Sequence, residues 1–258
     1  MSPILTADQL EGIYEKLDIA DQNIRNLNAD ITKFLDTLPV FELKIEGGRP
    51  VIGQKERDGW KKLQEYARKT KVPLRFSIRA GEIIHHLRSC LDHIAWQLSD
   101  PVKRELTPTS VQFPIITDWT DKKEVARYDR YTELITNTSA LTLIKGLQPA
   151  GVNSPKDDLL WIIHHMDIID KHRNLTIIFW VPRLHGPSKV TRDYAIKVNA
   201  QGKRVPIPIF GTLNVQMDAK VTLHIAFETF SKWQDQPVIK SLSDLTNRIR
   251  EVVALFGK

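Results

Sequence analysis

The stretch Gly81–Leu98, GEIIHHLRSCLDHIAWQL, decides how this chain is read. At about 100° per residue, Ile83, Ile84, Leu87, Cys90, Leu91, Ile94, Ala95 and Leu98 fall on one side of a helix. Glu82, His85, His86, Arg88, Ser89, Asp92 and His93 fall together on the other. A solvated face is ordinarily built from lysine and glutamate. This arc contains no lysine and includes Trp96, so it is predicted to face a pocket, a partner or a polar interior.

Outward from that helix, helical spacing recurs in several places. Thr6 and Gln9 form a capping box ahead of Leu10, Ile13, Leu17, Ile24, Leu27, Ile31 and Phe34, which predicts a long first helix ending at Leu38-Pro39. Residues 55–70 read as helical, and Pro73 suits the start of the polar-faced helix, expected over 73–99. Residues 100–120 hold three prolines and no helical period, so they read as a loop, with a further helix over about 121–145. Ser154-Pro155 opens a second polar helix over 155–174, carrying LLWIIHHMDIIDKHRN, and an amphipathic helix covers about 238–257.

Alternation predicts the strands. VFELKIEGGRPVIG alternates around Gly47-Gly48, the sign of a β-hairpin over 40–53, and residues 175–230 alternate or run apolar as a sheet would. The expectation is therefore α+β: a single domain, 1–258, of a helical bundle with an early β-hairpin, an antiparallel sheet in the C-terminal half and a C-terminal helix.

At 258 residues, 41% hydrophobic and 26% charged, the composition is that of a soluble globular protein. No apolar run reaches the roughly 20 residues that span a bilayer, and the N-terminal sequence has no secretory pattern, so no membrane and a cytoplasmic location are expected. Cys90 is the only cysteine and lies on the apolar side of its helix, which predicts a core residue rather than a nucleophile.

The net charge of +6 is concentrated. Residues 54–79 carry nine basic side chains against three acidic ones, an excess equal to that of the whole chain. Lys61, Lys62, Lys69 and Lys71, with Trp60 as a stacking surface, form a candidate RNA-binding segment; a solvated helix face is the plainer reading.

GEIIHHLRSCLDHIAWQL, followed by FPI and DKHRNL, resembles an uncharacterised bacterial family over roughly residues 74–180, a likeness that implies no activity. Separately, Arg88-Ser-Cys-Leu-Asp-His93 resembles the R-x(4–6)-H motif of HEPN ribonucleases. That resemblance implies metal-independent RNA cleavage by a dimer of facing motifs, in a toxin–antitoxin or phage-defence setting, with no cofactor and an antitoxin or other partner protein. In this reading His93 is the base, Arg88 the cation that meets developing phosphorane charge, and His172 or a second histidine the acid, with Asp92 and His86 beside them. A second reading makes the protein a non-enzymatic interaction or sensing module, its polar face a buried network. Arg88 then pairs with Asp170 and Arg173 with Asp92, while Glu82 and His165 complete the docking surface. A third treats Glu82, His86 and His93 as ligands of a helical-bundle metal hydrolase, closed by His165 or His172, although no dense metal motif is present.

Overall fold

The computed structural model describes residues 3–37, 41–46, 49–50, 53–172, 175, 177–180, 196–198, 204–206, 217–221, 224–227 and 237–258. The helices are α1 (Ala7–Asp36), α2 (Gln54–Lys69), α3 (Leu74–Leu98), α4 (Pro101–Leu106), α5 (Lys122–Thr132), α6 (Thr138–Gly146), α7 (Leu159–His172) and α8 (Val238–Phe256).

The expected α+β class is corrected by this order: the fold is mainly helical. Its helices reach 30 and 25 residues in α1 and α3, whereas the longest described strand segment, Phe41–Glu46, has 6. Among the described residues, strand segments do not assemble into the one antiparallel sheet expected for the C-terminal half, and the Gly47-Gly48 turn of the expected hairpin lies outside them. The physical reason is that alternation marks which side of a short segment would be buried. It does not supply the neighbouring strand that makes a sheet.

Two compact units divide the chain: Met1–Asn28, Leu74–Thr176 and Phe227–Lys258 form one, and Ala29–Pro73 and Ile177–Ala226 the other. The second contains α2, on which Lys61, Lys62 and Lys69 are exposed, with Lys71 exposed just beyond the helix end; Lys69 pairs with Glu65 at 2.6 Å. The side chain of Trp60 lies outside what is described.

In the first unit α3 is the central helix, packed on α7 and α8, which also pack on each other. Its apolar side is fully buried through Phe76, Ala80, Ile83, Ile84, Leu87, Cys90, Leu91, Ile94 and Ala95. Residues Leu242, Leu245, Ile249, Val252, Val253 and Phe256 of α8 are buried at the i, i+3, i+4 spacing that makes one apolar stripe. Early α1 adds Leu10, Ile13, Leu17 and Ala20, and the reciprocal Thr6–Gln9 capping bonds, at 2.9 and 3.3 Å, start that helix. Cys90 sits against the Ile13 carbonyl at 3.8 Å, and burial pushes its thiol up to about 12, so it is inert.

The predicted helix over 121–145 is broken between α5 and α6, where Asn137 caps α6 by accepting from the Ala140 N–H at 3.0 Å. Among the described residues no helix is long and apolar enough to cross a membrane.

Candidate functional site

The polar arc of α3 separates into two halves. Gly81, His85, Arg88 and Asp92, spaced four, three and four apart, lie towards α7 and the segment that follows α4, as their contacts show. Glu82 and His93 are exposed and His86 is half-buried; partial burial and the charge of Lys16 on α1 push both histidines below the usual imidazole range. The wheel places all of these side chains on one arc, but only the neighbouring elements decide which of them meet.

Arg88 and Asp92 act on the backbone. The Arg88 guanidinium is buried; its Nη2 donates to the Phe113 carbonyl at 2.8 Å and lies 2.9 Å from Asp92 Oδ1. The same Asp92 oxygen accepts from the Phe113 N–H at 2.9 Å. One ion pair therefore satisfies both backbone groups of a residue whose side chain is fully buried. Burial pushes the Asp92 carboxyl up, and Arg88 with the Phe113 N–H pulls it back down.

This clamp belongs to a longer pattern. Residues 111–118 form neither helix nor strand, yet Phe113, Ile115 and Ile116 are buried. Side chains take the place of a sheet ladder. Gln148 Oε1 accepts from the Ile116 N–H at 3.0 Å, Arg127 Nη2 donates to the Ile115 carbonyl at 3.3 Å, and Glu124 Oε2 accepts from the Thr117 and Asp118 N–H groups at 2.5 and 3.0 Å.

Next along the α3–α7 seam, His85 meets Asp167. Nδ1 of His85 lies 2.9 Å from Asp167 Oδ1, while Lys171 Nζ is 2.6 Å from Oδ2. An ionised carboxylate only accepts, so Nδ1 carries the proton and Nε2 is left with the free lone pair when the ring is neutral. The Asp167 side chain is 3% exposed and the His85 side chain 59%. A fixed carboxylate thus orients an imidazole that solvent can reach.

Asp170, one helical turn beyond Asp167, packs its carboxyl group directly against Gly81. Burial is the first cause pushing this carboxyl up, the charge of Asp167 the second; Glu82 adds to the push and His85 opposes it. The contacts Asp170–Gly81 and Asp167–His85 run in opposite chain directions, so α3 and α7 are antiparallel here. His164, one turn before Asp167, has a buried Nδ1 without a hydrogen-bond partner. Burial and the charges of Arg88 and Arg127 push its imidazole down to about 4.

The other sequence candidates disperse. His165 stacks on Trp161 with ring centres 4.6 Å apart, His172 is exposed at the end of α7, and Arg173 lies outside the described residues. Arg88 pairs with Asp92. No group of three or more histidine, cysteine or acidic side chains suited to a metal occurs among the described residues.

Sequence reasoning missed Asp167 and Lys171 altogether, and with them the role of His85. The apolar stripe of α7, read from its aliphatic residues, stops at Ile163, and the buried arc continues just past it to Asp167. The signal that was present is the repeat of an acidic residue at 167 and 170 opposite a glycine and a histidine four apart. Compared with family models, curated proteins and solved structures, the chain matches none.

Proposed function

We propose that this protein is an RNA endonuclease working by proton transfer, with its chemistry centred on His85 and Asp167 and with Arg88 and Asp92 committed to the fold. The observation that carries this reading is the 2.9 Å bond from a solvent-open imidazole to a buried carboxylate. A carboxylate at Nδ1 holds the tautomer in which Nε2 takes a proton, and stabilises the imidazolium that results.

The surroundings favour a substrate that brings its own nucleophile. Cys90 is buried and far up its range, so it offers no thiolate. The imidazole stands on an open helix face, which a polymer can approach without being engulfed. RNA carries a 2′-hydroxyl beside each phosphodiester, and the chain's net charge of +6 attracts a polyanion. A toxin or phage-defence role, facing protomers of a dimer, an antitoxin or other partner protein and a cytoplasmic location accompany this reading on the HEPN resemblance alone.

The test is cleavage of single-stranded RNA by purified variants. His85→Ala and Asp167→Asn should lower the rate by roughly two to four orders of magnitude while melting near the wild type, and His93→Ala should stay within a few fold. Loss with His93→Ala and retention with His85→Ala would return the chemistry to the R-x4-H pattern.

A second reading, the interaction module, is favoured by one observation: both oxygens of Asp167 and both backbone groups of Phe113 are already paired, as a lock between elements requires. A wild type inert on every RNA, with His85→Ala melting several degrees lower, is the result that would select it.

A further inference from the structure

Proton transfer at a phosphodiester needs two groups, one to take a proton from the attacking oxygen and one to give a proton to the leaving oxygen. His85 is placed for the first. The seam also carries a group for the second.

Asp170 is held where a side chain on the facing helix would stand. A β-carbon at position 81 would overlap the Asp170 carboxyl group, so the glycine is what admits the carboxyl to the seam. Gly81 precedes His85 by one turn of α3, and Asp170 follows Asp167 by one turn of α7. Carboxyl and imidazole are therefore neighbours along one seam, separated by about one helical pitch, ~5.4 Å.

Asp167 cannot fill this role. Its oxygens are taken by His85 and Lys171, and its side chain is buried. Asp170 is half-buried and faces Asp167 on its own helix and Glu82 and His85 on α3. Burial first, then the charges of Asp167 and Glu82 against that of His85, push its carboxyl up, the direction a proton donor requires.

Resting on the endonuclease reading, we propose that Asp170 is the proton donor to the leaving oxygen. His85 Nε2 takes the proton of the 2′-hydroxyl as the 2′-oxygen bonds to phosphorus. The bond from phosphorus to the 5′-oxygen breaks, and Asp170 gives its proton to that oxygen. The products are a 2′,3′-cyclic phosphate and a 5′-hydroxyl; His85 ends protonated, Asp170 ends ionised, and solvent resets both.

The experiment compares two substrates, a short single-stranded RNA and uridine 3′-(p-nitrophenyl phosphate), whose aryl oxide departs without needing a proton. Asp170→Asn should slow RNA cleavage by about 100-fold or more and slow the aryl ester far less, whereas His85→Ala should slow both. Gly81→Ala leaves the carboxyl chemically intact and displaces it, so it should shift the ratio of the two rates in the same direction as Asp170→Asn. It serves as the independent variant should Asp170→Asn fold poorly, and thermal melting of each variant distinguishes the cases. Equal losses on both substrates, or an unaffected RNA rate beside a dead His85→Ala, would overturn the role of Asp170 and leave the endonuclease reading standing. A wild type that cleaves neither substrate overturns both.

Discussion

Arg88 illustrates how one residue type can be placed by chemistry and misplaced by pattern. As the first residue of an R-x4-H motif it is a phosphate ligand; in the fold it meets the Phe113 carbonyl and Asp92, and its guanidinium is buried. Arg88→Ala would leave Asp92 without its cation and a buried carbonyl unpaired, and should cost about 3–5 kcal/mol in chemical denaturation. Asp92→Asn keeps an oxygen for the Phe113 N–H and should cost less. A double-mutant cycle between Arg88 and Asp92 measures the coupling, and an Arg88→Ala protein as stable as the wild type would remove the clamp from the description.

His164 and Gly81 yield predictions of opposite sign at the same scale. The His164 imidazole titrates at about 4 in the fold and near 6.5 when unfolded. Across that window the unfolded chain binds the extra proton, so the stability present above the unfolded value falls as pH drops and is lost by about 4. The window is worth ~3 kcal/mol, by about 1.4 kcal/mol per unit. Urea melts at stepped pH should show the slope, and His164→Gln should flatten it. Asp92 and Asp170, whose carboxyls are pushed up, act in the other direction, from the ordinary carboxyl value upward. Gly81→Ala adds helix propensity worth up to about 1 kcal/mol while driving out the Asp170 carboxyl. Stability should hold or rise as cleavage falls.

At the scale of elements, what was legible in the sequence was what periodicity carries. The α3 stretch, its apolar side and the C-terminal helix are written in i, i+3, i+4 spacing, and each is buried accordingly. Periodicity gives an angle about an axis and says nothing of what stands opposite. Asp92 and His93 are adjacent on α3, yet one holds the Phe113 backbone and the other is exposed. Residues 111–118 were beyond reach for a related reason: their partners, Arg88, Asp92, Glu124, Arg127 and Gln148, come from two helices, α3 and α5, and from the connection after α6, with no local pattern linking them. Short alternating runs were the weakest guide, since they suggested a sheet-bearing half in a chain that is mainly helical. For α2 and the residue beyond it, exposure of Lys61, Lys62, Lys69 and Lys71 gives a direct test. Changing all four to Gln should flatten the salt dependence of RNA binding. An unchanged slope would make them a solvated face.

For the whole molecule, every group in the proposed chemistry belongs to one of the two compact units, the one containing α3, α7 and α8. Within it, the α3–α7 seam divides labour along its length: Arg88 and Asp92 hold the 111–118 segment, and His85, Asp167 and Asp170 are left for protons. That division is the central claim. Its most direct measurement is a paired assay of His85→Ala and Arg88→Ala, with RNA cleavage and thermal melting recorded on the same preparations. His85→Ala should melt near the wild type and lose cleavage by roughly two to four orders of magnitude, while Arg88→Ala should melt far lower and still cleave below its transition. The reverse, a stable Arg88→Ala protein without cleavage beside an active His85→Ala protein, would contradict it.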